Sequence, residues 1–113
     1  MRQVADRHVE PLTEPVFLIL TSLVSSPRHG YGLKKDIEAL SGGRVSMSTG
    51  TLYGVLRRLL EDCWIERFEQ EDTARDKRAY RLTAQGRAHL ERELDRIKQL
   101  TRAATARLRA AEA

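Results

Sequence analysis

The stretch that most limits how this chain can fold runs from Ser46 to Leu60, Ser-Met-Ser-Thr-Gly-Thr-Leu-Tyr-Gly-Val-Leu-Arg-Arg-Leu-Leu. Leu52, Leu56 and Leu59 recur at four- and three-residue spacing, which on a helix makes an apolar stripe that must pack against something. Ser48 stands where a helix wants a capping hydroxyl. The other face presents Thr49, Tyr53 and Arg57, with Arg58 near its edge. Hydroxyls, a phenol and guanidinium groups suit contacts to phosphates and base edges, and no catalytic machinery accompanies them. A helix buried on one side and hydrogen-bonding on the other has the character of an element that enters a groove.

The flanking sequence gives that helix a setting. Thr13-Glu14-Pro15 is a helix-start signal, a hydroxyl cap followed by an acid and a proline in the first turn. Val16 to Leu20, with Leu23 and Val24, is apolar almost all round, so a central buried helix is expected up to Ser25. Ser25 to Gly30 breaks it. A second helix is expected from about Tyr31 to Leu40, with Leu33, Ile37 and Leu40 on one face and Lys34, Lys35 and Glu38 opposite. Gly42 and Gly43 stop it, since glycine tolerates the positive φ found just past a helix end. Beyond Leu60 the period becomes extended: Trp64 to Gln70 and Ala79 to Thr83 read as paired strands around a polar loop, Glu71 to Arg78. Three helices followed by a hairpin with a basic tip give a winged helix-turn-helix arrangement. The expected fold is mainly α with a small β hairpin: an N-terminal arm over 1–12, the winged unit over 13–83, and a long helix over 84–113.

That last helix has a seam. Leu90, Leu94, Ile97, Thr101, Ala104 and Leu108 alternate at four and three residues, a heptad stripe sustained for nearly three repeats. So long a helix on so small a body cannot bury its own stripe, and the simplest partner is the same helix of a second copy.

Composition narrows the setting. Lys+Arg 20 against Asp+Glu 16 gives a net charge of +4, a mild basicity compatible with a nucleic-acid partner. The first fifteen residues carry charges of both signs and no apolar run, unlike a signal peptide, and Val16 to Leu20 is far too short to span a bilayer. A single cysteine, Cys63, excludes an internal disulfide framework and suits a reducing compartment, so a cytoplasmic setting is expected. His8, His29 and His89 are scattered, with no cysteine or carboxylate at ligand spacing. Neither a metal site nor a Ser-His-Asp or Cys-His set is expected, and no glycine-rich phosphate loop is present. No cofactor follows from these residues, and an enzyme has none to support it.

The residues also match a family. His29-Gly30-Tyr31-Gly32, Ser48-Thr49-Gly50-Thr51-Leu52-Tyr53, Leu56-Arg57-Arg58-Leu59-Leu60-Glu61-Asp62 and Tyr80-Arg81-Leu82-Thr83-Ala84-Gln85-Gly86 make the chain resemble the PadR-like transcriptional regulators over about Leu18 to Leu100. The Gly-Thr-Leu-Tyr segment at that distance from His-Gly-Tyr is specific; the Leu-Thr-x-x-Gly ending is shared with other winged-helix regulators. The resemblance implies a homodimeric regulator of the short type with one C-terminal helix, usually a repressor, that binds a palindromic DNA operator. Recognition helices related by a two-fold would enter successive major grooves roughly 34 Å apart.

On that resemblance, the DNA-contacting set is Ser48, Thr49, Thr51, Tyr53 and Arg57, with Thr49 and Tyr53 nearest the bases or their phosphates and Arg57 at the backbone. The competing possibility is a capped, solvated face with Tyr53 half-packed on a neighbouring helix. Arg44 and Ser46 are candidates for a phosphate at the turn. Arg75, Lys77 and Arg78 would reach phosphates or the minor groove as a wing, although Glu71, Asp72 and Asp76 partly neutralise that loop. Cys63 stands where such proteins commonly have glycine; if its backbone is left-handed, the side chain costs roughly 1 kcal/mol. Otherwise an isolated cysteine is usually a small buried hydrophobe. Gly54 inside the helix costs roughly 1 kcal/mol relative to alanine. Some family members take a small-molecule effector beside the dimer helices, but the last helix here carries no aromatic and the sequence names no effector. A competing function is a protein-interaction module that keeps the scaffold without using DNA; it calls for a hydrophobic recognition face, whereas this one bears hydroxyls and arginine.

Overall fold

The computed structural model describes residues 11–68 and 79–112. Helix α1 spans Glu14–Ser22, capped by Thr13, whose hydroxyl accepts the Val16 amide at 3.3 Å. Ile19 and Leu20 are wholly buried, so this is the central helix that its all-round apolarity demands. It stops at Ser22 rather than Ser25, and the chain turns into a strand, β1 (Arg28–His29). Ser22, Asp36 and Arg28 fasten that corner: the Ser22 hydroxyl donates to Asp36 at 2.6 Å, and Arg28 Nε donates to the Ser22 carbonyl at 2.9 Å.

Helix α2 (Gly30–Leu40) buries Gly30, Leu33 and Ile37. It ends as its glycines direct. Gly42 and Gly43 adopt φ of 65° and 83°, and their amides turn back to the carbonyls of Ala39 and Glu38 at 3.2 and 2.7 Å. Helix α3 (Thr49–Glu61) follows, burying Leu52, Leu56 and Leu59 as their spacing requires. Strands β2 (Ile65–Phe68) and β3 (Ala79–Leu82) pair antiparallel, with Glu66 opposite Arg81 and joined to it by a 2.7 Å ion pair. Among the described residues the sheet has three strands in the order β1-β3-β2, because Arg28 and His29 pair with Tyr80 and Ala79. The expected two-stranded hairpin therefore gains a strand. Two residues carry no alternation to reveal it, and the pairing partner lies some fifty residues away.

Helix α4 (Ala84–Glu112) runs 29 residues, roughly 43 Å at the α-helical rise. Its start is fixed by Thr83, whose hydroxyl accepts the Gly86 amide at 3.0 Å and donates to the Cys63 carbonyl at 2.7 Å. Gly86 lies so close to the Trp64 carbonyl that an added Cβ would collide with it. The Leu-Thr-x-x-Gly ending is thus the seam between α4 and the chain leaving α3. Leu90 is 5% exposed and belongs to the chain's own core, which corrects its assignment to a seam between copies. Glu93, also buried, accepts the Leu12 amide at 3.2 Å and pairs with Arg96 at 2.7 Å, which ties the segment before α1 to α4. From Ile97 to Glu112 every residue is exposed.

Among the described residues no helix is long and apolar enough to cross a membrane.

Candidate nucleic-acid interface

Helix α3 is amphipathic by construction. Its leucine stripe anchors it in the core, which leaves Thr49, Tyr53 and Arg57, one turn apart in succession, exposed along its flank. Ser48 fixes where the helix begins. Its hydroxyl accepts the Thr51 amide at 3.2 Å and donates to Thr51 Oγ1 at 2.9 Å, so these two hydroxyls are engaged with each other as a cap. Arg57 makes no ion pair among the described residues and stands in solvent at the middle of the helix. Thr49 is likewise exposed in the first turn, where the unpaired backbone amides of a helix start give a partial positive charge.

Tyr53 is positioned differently from its neighbours. It is 38% exposed, and its phenol leans over the first residue of α2. A Cβ on Gly30 would strike the Tyr53 hydroxyl and come within 2.9 Å of its Cζ. The His-Gly-Tyr and Gly-Thr-Leu-Tyr segments therefore meet in space, and the glycine of one admits the tyrosine of the other. Tyr53 is both half-packed on the neighbouring helix and open to solvent along its remaining edge.

At the turn before α3, both candidate phosphate ligands already have partners in the chain. Arg44 forms a two-pronged ion pair with Glu14 at the start of α1, Nη1 to Oε1 at 2.8 Å and Nη2 to Oε2. The Arg44 guanidinium, chiefly by these hydrogen bonds, holds the Glu14 carboxyl below its ordinary value, and Glu14 raises Arg44 in turn. Ser46 Oγ donates to Glu38 Oε2 at 2.9 Å. Both residues remain exposed. Arg75, Lys77 and Arg78 lie outside the described residues.

Two exposed side chains of α2 that sequence reasoning did not single out as candidates follow Gly30 in the chain. Tyr31, next to Gly30, is 72% exposed, and the Lys35 ammonium stands 5.6 Å from the centre of its ring. The available signal was an aromatic at a position opposite Leu33 and Ile37, with a lysine one turn later.

Cys63 has φ of 65°, so the left-handed backbone that glycine would occupy is present. It is the residue after the α3 C-cap, and its amide and that of Trp64 turn back to the carbonyls of Leu60 and Leu59 at 3.1 and 3.0 Å. The thiol is exposed rather than buried, which corrects the small-hydrophobe expectation. Trp64 stacks on His89 of α4 with ring centroids 4.0 Å apart. It also walls a groove of about 330 Å³ with Leu12, Val16, Val55 and Leu59, and Arg58 and Asp62 are among the residues that line it. His29 caps no amide with its side chain, and its Nε2 is buried without a hydrogen-bond partner among the described residues. No group of three or more His, Cys, Asp or Glu side chains among the described residues is placed to hold a metal ion.

Helices α2 and α3, the small sheet and the long α4 define a winged helix-turn-helix protein. Residues 19–92 match the model of the transcriptional regulator PadR-like family, and the chain belongs to that family. It is similar to a PadR family transcription regulator from Clostridium difficile R20291, with a TM-score of 0.69 and 21% identity, covering 85% of this chain and 99% of that one. It is similar also to Bacillus subtilis PadR in complex with operator DNA, with a TM-score of 0.65 and 23% identity, covering 75% of this chain and 48% of that one. In sequence it is 36% identical over 84 residues, 74% of this chain, to an uncharacterized 37.1 kDa protein in transposon Tn4556 of Streptomyces fradiae. The chain spans 23% of that relative's length.

Proposed function

We propose that this protein is a dimeric, sequence-specific DNA-binding regulator of transcription, acting as a repressor in the cytoplasm. The observation that carries the reading is the exposed stripe Thr49, Tyr53 and Arg57 on a helix whose leucine face is locked into the core. Such a helix is rigid where it is anchored and hydrogen-bonding where it is free, which is what reading base edges in a major groove requires. The operator complex of Bacillus subtilis PadR supports carrying the partner over to this chain.

Dimerisation is proposed through α4. Leu94, Ile97 and Leu108 are 39%, 37% and 67% exposed, and Thr101 and Ala104 continue their stripe, so these five remain for a partner once Leu90 is assigned to the core. Pairing two such helices places two copies of α3 about a two-fold, the symmetry of a palindromic operator. Occupancy of promoter DNA then blocks transcription. An effector relieves it by binding a dimer whose helix spacing does not fit successive grooves.

The test is selection of duplexes from a random-sequence pool, followed by affinity measurement with Tyr53→Ala and Arg57→Ala at matched salt. The reading expects a recurrent palindromic site and weakened binding by both variants with an unchanged circular dichroism spectrum. No enrichment by the folded protein overturns it, in favour of a protein-interaction module.

A further inference from the structure

Tyr31 shows the largest exposed fraction of any large hydrophobic side chain among the described residues, 72%, and the packing of α2 does not need it there. Gly30, Leu33 and Ile37 anchor that helix, and Tyr31 and Lys35 stand one turn apart on a different side of it. The Lys35 ammonium over the Tyr31 ring at 5.6 Å holds the two as a unit, with the cation and the phenol both facing water. Their place is set by the contact between Gly30 and Tyr53: the residue next to Tyr31 in the chain is the one that supports the exposed stripe of α3.

We propose that Tyr31 and Lys35 form a phosphate clamp that grips the sugar-phosphate backbone flanking the groove entered by α3. This deepens the DNA-binding reading above and rests on it. The phenol donates a hydrogen bond to one phosphate oxygen, the ammonium pairs with a phosphate, and the ring covers deoxyribose. The charge balance around α3 favours this site over the turn. Arg44 is occupied by Glu14, and Ser46 by Glu38. Lys35 makes no ion pair among the described residues. Of the acids on its own helix, Asp36 is paired with Arg28, and Glu38, three residues on, keeps its charge while accepting a hydrogen bond from Ser46. A contact of this kind positions without reading sequence, so it complements α3 rather than duplicating it.

The experiment titrates the full chain and its Tyr31→Ala, Tyr31→Phe and Lys35→Gln variants with two duplexes, one selected from a random pool and one of mixed sequence, across a salt series. Thermal melting confirms that each variant folds. The clamp predicts that Lys35→Gln lowers the slope of log affinity against log salt by about one unit, and weakens both duplexes by the same factor. Tyr31→Ala weakens both as well, and Tyr31→Phe, which keeps the ring under the ammonium, falls between it and wild type. Wild-type affinity and slope in folded Tyr31→Ala and Lys35→Gln overturn the clamp while leaving the DNA-binding reading intact. Failure of the wild type to bind either duplex overturns both together. A loss confined to the selected duplex also overturns the clamp, because it shows sequence reading instead of backbone grip.

Discussion

The phenol of Tyr53 occupies the space beside Gly30 that any side chain at that position would need. Two helices are set against each other by this contact, and the exposed stripe of α3 is oriented by it. Gly30→Ala is expected to push the Tyr53 ring aside and to destabilise the protein by about 1–2 kcal/mol. In a Tyr53→Ala background the same substitution costs much less, because the obstructing ring is gone. Urea unfolding of the four proteins of this cycle measures the coupling. Additive effects would show that the contact does not determine the packing.

The left-handed backbone at Cys63 gives a prediction of opposite sign. Its thiol is exposed and, among the described residues, makes only a 4.0 Å contact with the Glu61 carbonyl, so little holds the side chain in compensation. Cys63→Gly is expected to stabilise the fold by about 1 kcal/mol, less the entropy that glycine adds to the unfolded chain. Chemical denaturation under reducing conditions checks this. A clear loss of stability would mean that the thiol contributes more than its contacts indicate.

How far the sequence reveals the fold depends on whether the cause is local. Ser48, Thr13 and Thr83 sit where their helices begin because a hydroxyl accepts amides two or three residues on, and Leu52, Leu56 and Leu59 are buried because their spacing makes one face. The left-handed backbone at Cys63 was foreseeable only through the family resemblance, as a condition at a position where such proteins commonly have glycine. By contrast, β1 exists only because residues 28 and 29 meet residues 79 and 80. The occupation of Arg44 by Glu14 depends on a partner thirty residues away in sequence. Leu90 shows the same limit within a periodic helix. A heptad stripe shows that residues will be buried, not whether the chain itself or a second copy covers them. In the candidate site, the α3 stripe was legible, and the neighbouring Tyr31 and Lys35 were not, since their significance comes from the packing of α2 against α3.

The anchor between Leu12 and α4 makes stability depend on acid. Arg96, and to a lesser extent the Leu12 amide, hold the Glu93 carboxyl below its ordinary value of 4.5, while burial works against them. A carboxyl whose pKa is lower folded than unfolded contributes its full stabilisation above the unfolded value and loses it as pH falls through the folded one. Glu93→Gln is therefore expected to be less stable than wild type by about 2 kcal/mol at neutral pH. The gap should close as pH is lowered below 4.5 and stay constant as pH rises from neutrality. Thermal melting of both proteins across that range measures it, and a gap independent of acid would contradict the ion-pair account.

Charge placed on the free part of α4 should separate the copies without unfolding them. Leu94→Glu with Ile97→Glu is expected to sediment as a folded monomer, because both side chains are more than a third exposed in the single chain. Leu90→Glu is expected to unfold the protein instead, since Leu90 is in the core. A dimer unaffected by the double substitution would place the interface elsewhere.

The most direct test of the central claim is a fluorescence-anisotropy titration of the protein with DNA from upstream of its own gene, beside a scrambled duplex, at several salt concentrations. The account predicts tight binding to the first, weaker binding to the second, and a steep loss of affinity with salt that counts the phosphates contacted. Equally weak binding to both, at every salt concentration and also with duplexes drawn from a random pool, would contradict it.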